Sequence, residues 1–164
     1  MFRRSFLLCG TASVAACQLA DPTTVRGGVS LSPGTTLIVL RHAERDDEAL
    51  SRQGHNRAQA LVAALEGVPV DAIYTRDIPR NLETAAPLAR ARGLPVSVIA
   101  AENPASELAR LGAGRTVVWV GNRDNLADIW TALDAPGEAP VVYGELFFVS
   151  AGRPPQVDRR RFGA

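Results

Sequence analysis

The chain has 164 residues, of which 46% are hydrophobic and 21% charged, and its formal net charge is +1 at pH 7. That length suits one domain with appendages, and the near-neutral balance, with no basic stripe, argues against nucleic acid as a partner. All 18 basic residues apart from the two histidines are arginine, which excludes lysine Schiff-base chemistry, and neither a GxxxxGK[ST] loop nor a GxSxG elbow is present.

Taken in order, the chain opens on Arg3-Arg4-Ser5-Phe6-Leu7-Leu8, a basic pair followed by an apolar stretch that ends at Ala16. The stretch is too short to span a bilayer and fits a signal peptide over residues 1–16. Val14-Ala15-Ala16-Cys17 resembles a bacterial lipobox, and Arg3-Arg4-x-Phe6-Leu7 resembles the twin-arginine export signal. These resemblances imply acylation at Cys17 and a lipid anchor on the periplasmic side of the inner or outer membrane of a bacterial cell envelope. Cys9, the other cysteine, lies inside the signal, so the mature domain has no thiol pair for a disulfide and no thiolate cluster for a metal. Residues 17–35 are polar and rich in Gly, Pro, Ser and Thr, and read as a flexible linker behind the anchor.

From Thr36 onward, strand and helix patterns alternate over a domain expected to span 36–164. Residues 36–40 form a continuous apolar run, the mark of a strand buried on both faces. Ala58, Leu61, Val62 and Leu65 recur at helical spacing within 54–65. Residues 71–75 (DAIYT) form a short strand, and 79–91 a helix that tolerates Pro79 in its first turn. Residues 96–100 form a strand, 105–111 a short helix, 116–120 (TVVWV) an apolar strand, 125–133 a helix and 146–150 (LFFVS) the last strand. Such alternation implies a three-layer α/β/α sandwich around a mostly parallel sheet.

Polar residues follow three of these strands at once. Arg41 and His42 follow the first, Thr75, Arg76, Asp77 and Arg80 the second, and Asn122, Arg123 and Asp124 the TVVWVG strand. Parallel strands gather their carboxyl ends at one edge of the sheet, where α/β folds build their ligand sites.

LxxLRHAE, LSxxGxxRAxAL, DAIYTxDxxRxxETAxPLA, VVWVGN, ELFFV and a terminal RFG, in that order, resemble the histidine phosphatase superfamily, the phosphoglycerate-mutase-like group, in its short bacterial branch. The resemblance spans roughly residues 36 to 164. It implies a phosphomonoesterase that works through a phosphohistidine and needs no cofactor or metal. Its partner would be a phosphorylated small molecule or a phosphoprotein. His42 matches the nucleophile, and Arg41 and Arg80 match the phosphate-pocket arginines, whose planar forks suit phosphoryl oxygens. The leaving-group acid of the family usually follows the third strand; Glu102 takes that place here, with Glu107 as the other candidate. Glu44 is open between a supporting role and a loop charge, and His55 reads as a surface residue. The short domain leaves little room for the substrate cap of a mutase.

One position departs from the pattern. The family carries a second histidine after the glycine of the VVWVG-type strand, where this chain has Asn122, followed by Arg123, Asp124 and Asn125. Asparagine offers a neutral hydrogen bond and no charge. Arg123 restores the positive charge if it turns inward, and pairs with Asp124 at the surface if it does not. Two readings therefore stand: a working phosphatase with an altered fourth pocket residue, and a protein that has lost turnover and binds a phosphorylated ligand or a protein partner.

Overall fold

The chain runs β1 (Thr36–Arg41), β2 (Arg45–Asp46), β3 (Ala49–Leu50), α1 (Arg52–Ala64), β4 (Ala72–Thr75), α2 (Pro79–Arg92), β5 (Val96–Val98), α3 (Ala105–Leu111), β6 (Thr116–Gly121), α4 (Arg123–Leu133), β7 (Glu145–Ser150) and β8 (Gln156–Arg161). These elements come from a computed structural model that describes residues 28–163. The signal segment, Cys17 and the first part of the expected linker lie outside the described residues. No helix among the described residues is long and apolar enough to cross a membrane.

Six strands form one sheet in the order β5-β4-β6-β1-β7-β8, and β2 and β3 form a separate hairpin. β5, β4, β6 and β1 are parallel; β7 runs antiparallel to β1, and β8 antiparallel to β7. The expected mostly parallel sheet between helical layers is what forms. The apolar runs explain the central strands: Leu37 to Leu40 and Val117 to Val120 are buried throughout, because each strand has helices on both faces. Their side chains alternate between two cores. Leu37, Val39, Val117 and Trp119 pack with Leu108 of α3 and Leu126, Ile129 and Trp130 of α4. Ile38, Leu40, Val118 and Val120 pack with Leu61 and Leu65, on α1 and just beyond its end, and with Ala85 and Leu88 of α2.

Several boundaries differ from the sequence-based expectation. The segment expected to be linker up to residue 35 is packed chain by Val29: Leu31 and Thr35 are buried, and the Val29 amide donates to the Ala132 carbonyl at 2.7 Å. Leu31 joins the core under α4, so the body of the domain starts before residue 36. The β2–β3 hairpin and β8 have no counterpart in the apolar pattern. β8 (QVDRRR) is an edge strand almost wholly exposed, and the Arg159 and Arg160 guanidinium groups lie 4.9 Å and 4.2 Å from the Phe147 and Phe148 ring centres. Charged side chains suit an edge that must not pair further.

Candidate functional site

Register brings the polar strand ends together. Arg41 pairs with Gly121, and Thr75 with Val120, so the ends of β1, β4 and β6 lie side by side at one edge. The His42 amide continues the ladder by donating to the Gly121 carbonyl at 2.9 Å. Gly121 is obligatory there, since a Cβ would run into the Asn125 and Trp119 side chains.

His42 is buried at 3% exposure. Its Nδ1 lies 2.7 Å from the Ala43 carbonyl oxygen. A carbonyl only accepts, so Nδ1 carries the proton and Nε2 of the neutral ring keeps its lone pair. Burial lowers the imidazole pKa to about 4; the hydrogen bond to Ala43 opposes this, and the charges of Arg41, Arg80 and Arg45 add to it. The ring is therefore neutral and unprotonated at Nε2 at physiological pH.

The next residue is sutured to α2. The Ala43 amide donates to Thr84 Oγ1 at 2.9 Å, and that hydroxyl donates to the Arg80 carbonyl at 2.7 Å. Thr84 thus bridges the two segments that carry His42 and Arg80. The start of α2 is fixed again by Asn81, fully buried, whose Nδ2 donates to the Val120 carbonyl at 3.1 Å; Thr75 Oγ1 donates to the same oxygen at 2.8 Å.

Each arginine has one committed and one uncommitted part. Arg41 Nη1 donates to the Val141 carbonyl at 2.9 Å, and its guanidinium lies 4.2 Å from the centre of the Tyr143 ring. That ring also tilts against His42, with centroids 5.8 Å apart. Arg80 Nη1 pairs with Glu48 at 2.9 Å. The Nε atoms of both arginines are buried without a hydrogen-bond partner among the described residues, and so is Asn122 Oδ1. Buried polar groups are rarely left unpaired, and the two arginine Nε–H donors at this sheet edge are free to receive an anion, whereas the amide oxygen of Asn122 offers only an acceptor.

The other predicted residues are placed less centrally. Asn122 stands at the N-cap of α4, its amide donating to Asn125 Oδ1 at 3.0 Å. Arg123 is the first residue of that helix and is exposed, and among the described residues it forms no ion pair with Asp124. Glu102 is exposed in the turn that follows β5. Glu107 pairs with Arg110 on the outside of α3 at 2.6 Å, away from the site. His55 is exposed on α1, as expected.

The sequence model of the Histidine phosphatase superfamily (branch 1) matches residues 37–101. No curated protein sequence matches the chain at a significant level. Among solved structures the chain is similar to the protein histidine phosphatase SixA complexed with tungstate, at 14% identity over 79% of this chain and 96% of that one, with a TM-score of 0.59. It is also similar to Bacillus stearothermophilus YhfR (20% identity, 75% and 95% covered, TM-score 0.61). A third similar structure is a mycobacterial glucosyl-3-phosphoglycerate phosphatase in complex with inorganic phosphate (17%, 79% and 97%, TM-score 0.57). The fold is that of the histidine phosphatase superfamily.

Within this histidine phosphatase fold, several residues of the site carry no signal in the apolar pattern. Tyr143 sits in an irregular segment, and no periodicity singles it out. Thr84 reads as one more helical residue until its hydroxyl is seen to reach Ala43. Glu44, open at the level of sequence, is a supporting residue: its carboxylate takes Arg57 Nε and Nη2 at 2.6–2.9 Å, and these hydrogen bonds hold its carboxyl below the usual carboxylate range. Arg57 Nη1 also donates to the carbonyls of Phe162 and Gly163. Gly54 allows this crossing, since a Cβ would overlap the Glu44 carbonyl.

Proposed function

We propose that this chain is a phosphomonoesterase that transfers a phosphoryl group to water through a phosphohistidine on His42. The observation that carries the reading is the state of His42: neutral, with its proton on Nδ1, its Nε2 lone pair available and arginines on either side. Nε2 attacks phosphorus and the ester P–O bond breaks. The electron pair leaves with the alcohol oxygen, which takes up a proton. Water then attacks the phosphohistidine and returns the lone pair to Nε2, dividing one hard step into two. Arg41 and Arg80 neutralise charge on the equatorial oxygens, which is most of what phosphoryl transfer asks of a protein. Glu102 is the proposed proton donor, its turn lying at the carboxyl end of a parallel strand. The substrate is a phosphorylated small molecule or a phosphoprotein; solved proteins of this fold include a glucosyl-3-phosphoglycerate phosphatase and the protein histidine phosphatase SixA.

Asn122 favours low turnover. Loss of a donor aimed at developing charge costs about 10²–10³ in rate, and a neutral amide replaces a cation here. The same feature supports the second reading, a binding protein without turnover. An assay of the full chain on an aryl phosphate, beside His42→Ala and Asn122→His, separates the two. Wild-type hydrolysis that disappears in His42→Ala supports the phosphatase. A silent wild type that Asn122→His activates supports the binding protein.

We also propose that the protein works at the periplasmic face of a bacterial membrane, lipid-anchored at Cys17 behind a cleaved signal over residues 1–16. The Val14-Ala15-Ala16-Cys17 segment supports this. Loss of membrane association and of lipid labelling in Cys17→Ser is the expected outcome.

A further inference from the structure

The β2–β3 hairpin leans on the pocket in an unusual way. Its base is anchored: the Leu50 amide donates to Glu83 Oε2 of α2 at 2.7 Å, and Leu50 is buried with Ala43 and Ala58. Its tip, residues 45–49, is exposed, and Asp47 adopts a left-handed conformation with φ of 52°. From this tip Glu48, whose side chain is 75% exposed, reaches Arg80, whose side chain is only 17% exposed. A carboxylate on an exposed turn therefore occupies the arginine that the proposed reaction uses for phosphate.

We infer that Glu48 is an internal competitor for the phosphate pocket: its carboxylate holds Arg80 when the pocket is empty and leaves when a phosphoryl group enters. The inference rests on the phosphatase reading of Arg80. Glu48 takes Nη1 and leaves Nε free, so the competition is one of charge: the carboxylate neutralises the guanidinium and repels an approaching phosphate, and a phosphoryl group that spreads onto Nη1 must displace it. An ion pair with one partner this exposed is weak. A phosphoryl dianion that also finds Arg41 and the unpartnered Nε atoms displaces it readily. The hairpin base stays anchored by Leu50 while the tip yields. Glu48 thereby sets the affinity of the pocket for phosphate without taking part in bond breaking, and it gives the half-buried Arg80 guanidinium a counter-charge.

The test is calorimetric titration of the full chain with inorganic phosphate, comparing wild type, Glu48→Gln and, as a charge control, Asp46→Asn, together with steady-state kinetics on an aryl phosphate. Glu48→Gln is expected to bind phosphate about two- to fivefold more tightly, the reciprocal of a weak surface pair. KM falls by a similar factor and kcat is kept. The gain shrinks at high ionic strength, where the competing pair is screened, and Asp46→Asn shows less of it. A merely structural role would not tighten phosphate. Equal or weaker phosphate binding by Glu48→Gln overturns the inference, and so does a fall in kcat at constant KM, which would make Glu48 a proton donor instead. Either result leaves the phosphatase reading intact, because that reading depends on the loss of hydrolysis in His42→Ala. Binding by Glu48→Gln but not by the wild type supports the competitor in its strongest form. Absence of binding in both overturns it along with the phosphate pocket.

Discussion

The two sides of the pocket are built to different standards. On the β1–α2 side, His42 is held through its ring and its amide, Ala43 through Thr84, and the start of α2 through Asn81 and Thr84. On the β6–α4 side, Asn122 is fixed through its amide while its Oδ1 is buried and unpartnered among the described residues, and Arg123 lies exposed. The first side leaves little freedom to the atoms expected to react. The second keeps the backbone turn and supplies little charge. In the proposed reaction the nucleophile is fully prepared while the charge stabilisation opposite it is reduced, and the rate is expected to report the weaker side.

Substitutions probe this contrast. The largest effect is expected from His42→Ala, which lowers aryl phosphate hydrolysis to below about one thousandth of wild type; residual activity above that level would mean that the prepared side is not the reacting side. Next is Asn122→His, expected to raise kcat by about 10–10³-fold as a charged donor is restored. No gain would show that the β6–α4 side is not limiting.

Acid separates the two sides as well. The folded His42 pKa lies near 4 against 6.5 for a free imidazole. Between these values the unfolded chain binds the extra proton and the folded chain does not. The contribution of His42 to stability is therefore fully present above pH 6.5 and declines as pH falls towards about 4. Activity should hold down to the same region and then drop, following neutral Nε2. A kcat/KM profile with its acid limb near 6.5 instead would mean that the ring is not buried as described. The smallest effect concerns the suture. Thr84→Val leaves the Ala43 amide without its acceptor and is expected to cost about 1–3 kcal/mol in denaturant unfolding, with a lower kcat. Thr84→Ser should restore most of both.

Legibility in the sequence followed burial. β1 and β6 are buried on both faces, so their apolar runs announced them, and the Arg-His that ends β1 announced the site edge. α2 was legible from its first-turn proline, and the parallel order followed from alternation. β8 stayed hidden because its exposed position lets it be polar: QVDRRR has no apolar period, and its pairing is with the backbone of β7. The linker was misjudged at residues 29–35 because Val29 and Leu31 are isolated apolar residues among Gly, Ser and Pro, and only contact with α4 and the core beneath it gives them a role. At the site, the strand ends foretold that Arg41, His42 and Arg80 would meet at one sheet edge, while the roles proposed for them come from the family resemblance. Tyr143 and Glu48 were not legible, and Thr84, though part of the quoted motif, did not reveal its contact, since each meets a partner distant in sequence.

The place of β1 in the sheet constrains when the protein can become functional. Its neighbours are residues 116–121 on one side and 145–150 on the other, and Arg57 closes on the carbonyls of Phe162 and Gly163 at the end of the described chain. Such non-local pairings form late. During synthesis the segment bearing His42 therefore waits for residues 116–121 to cover one edge of its strand and for residues 145–150 to cover the other. A product that stops before Glu145 lacks β7, β8 and the Phe162 and Gly163 contacts of Arg57 together, so it is an aggregation-prone fragment and not a weaker version of the protein.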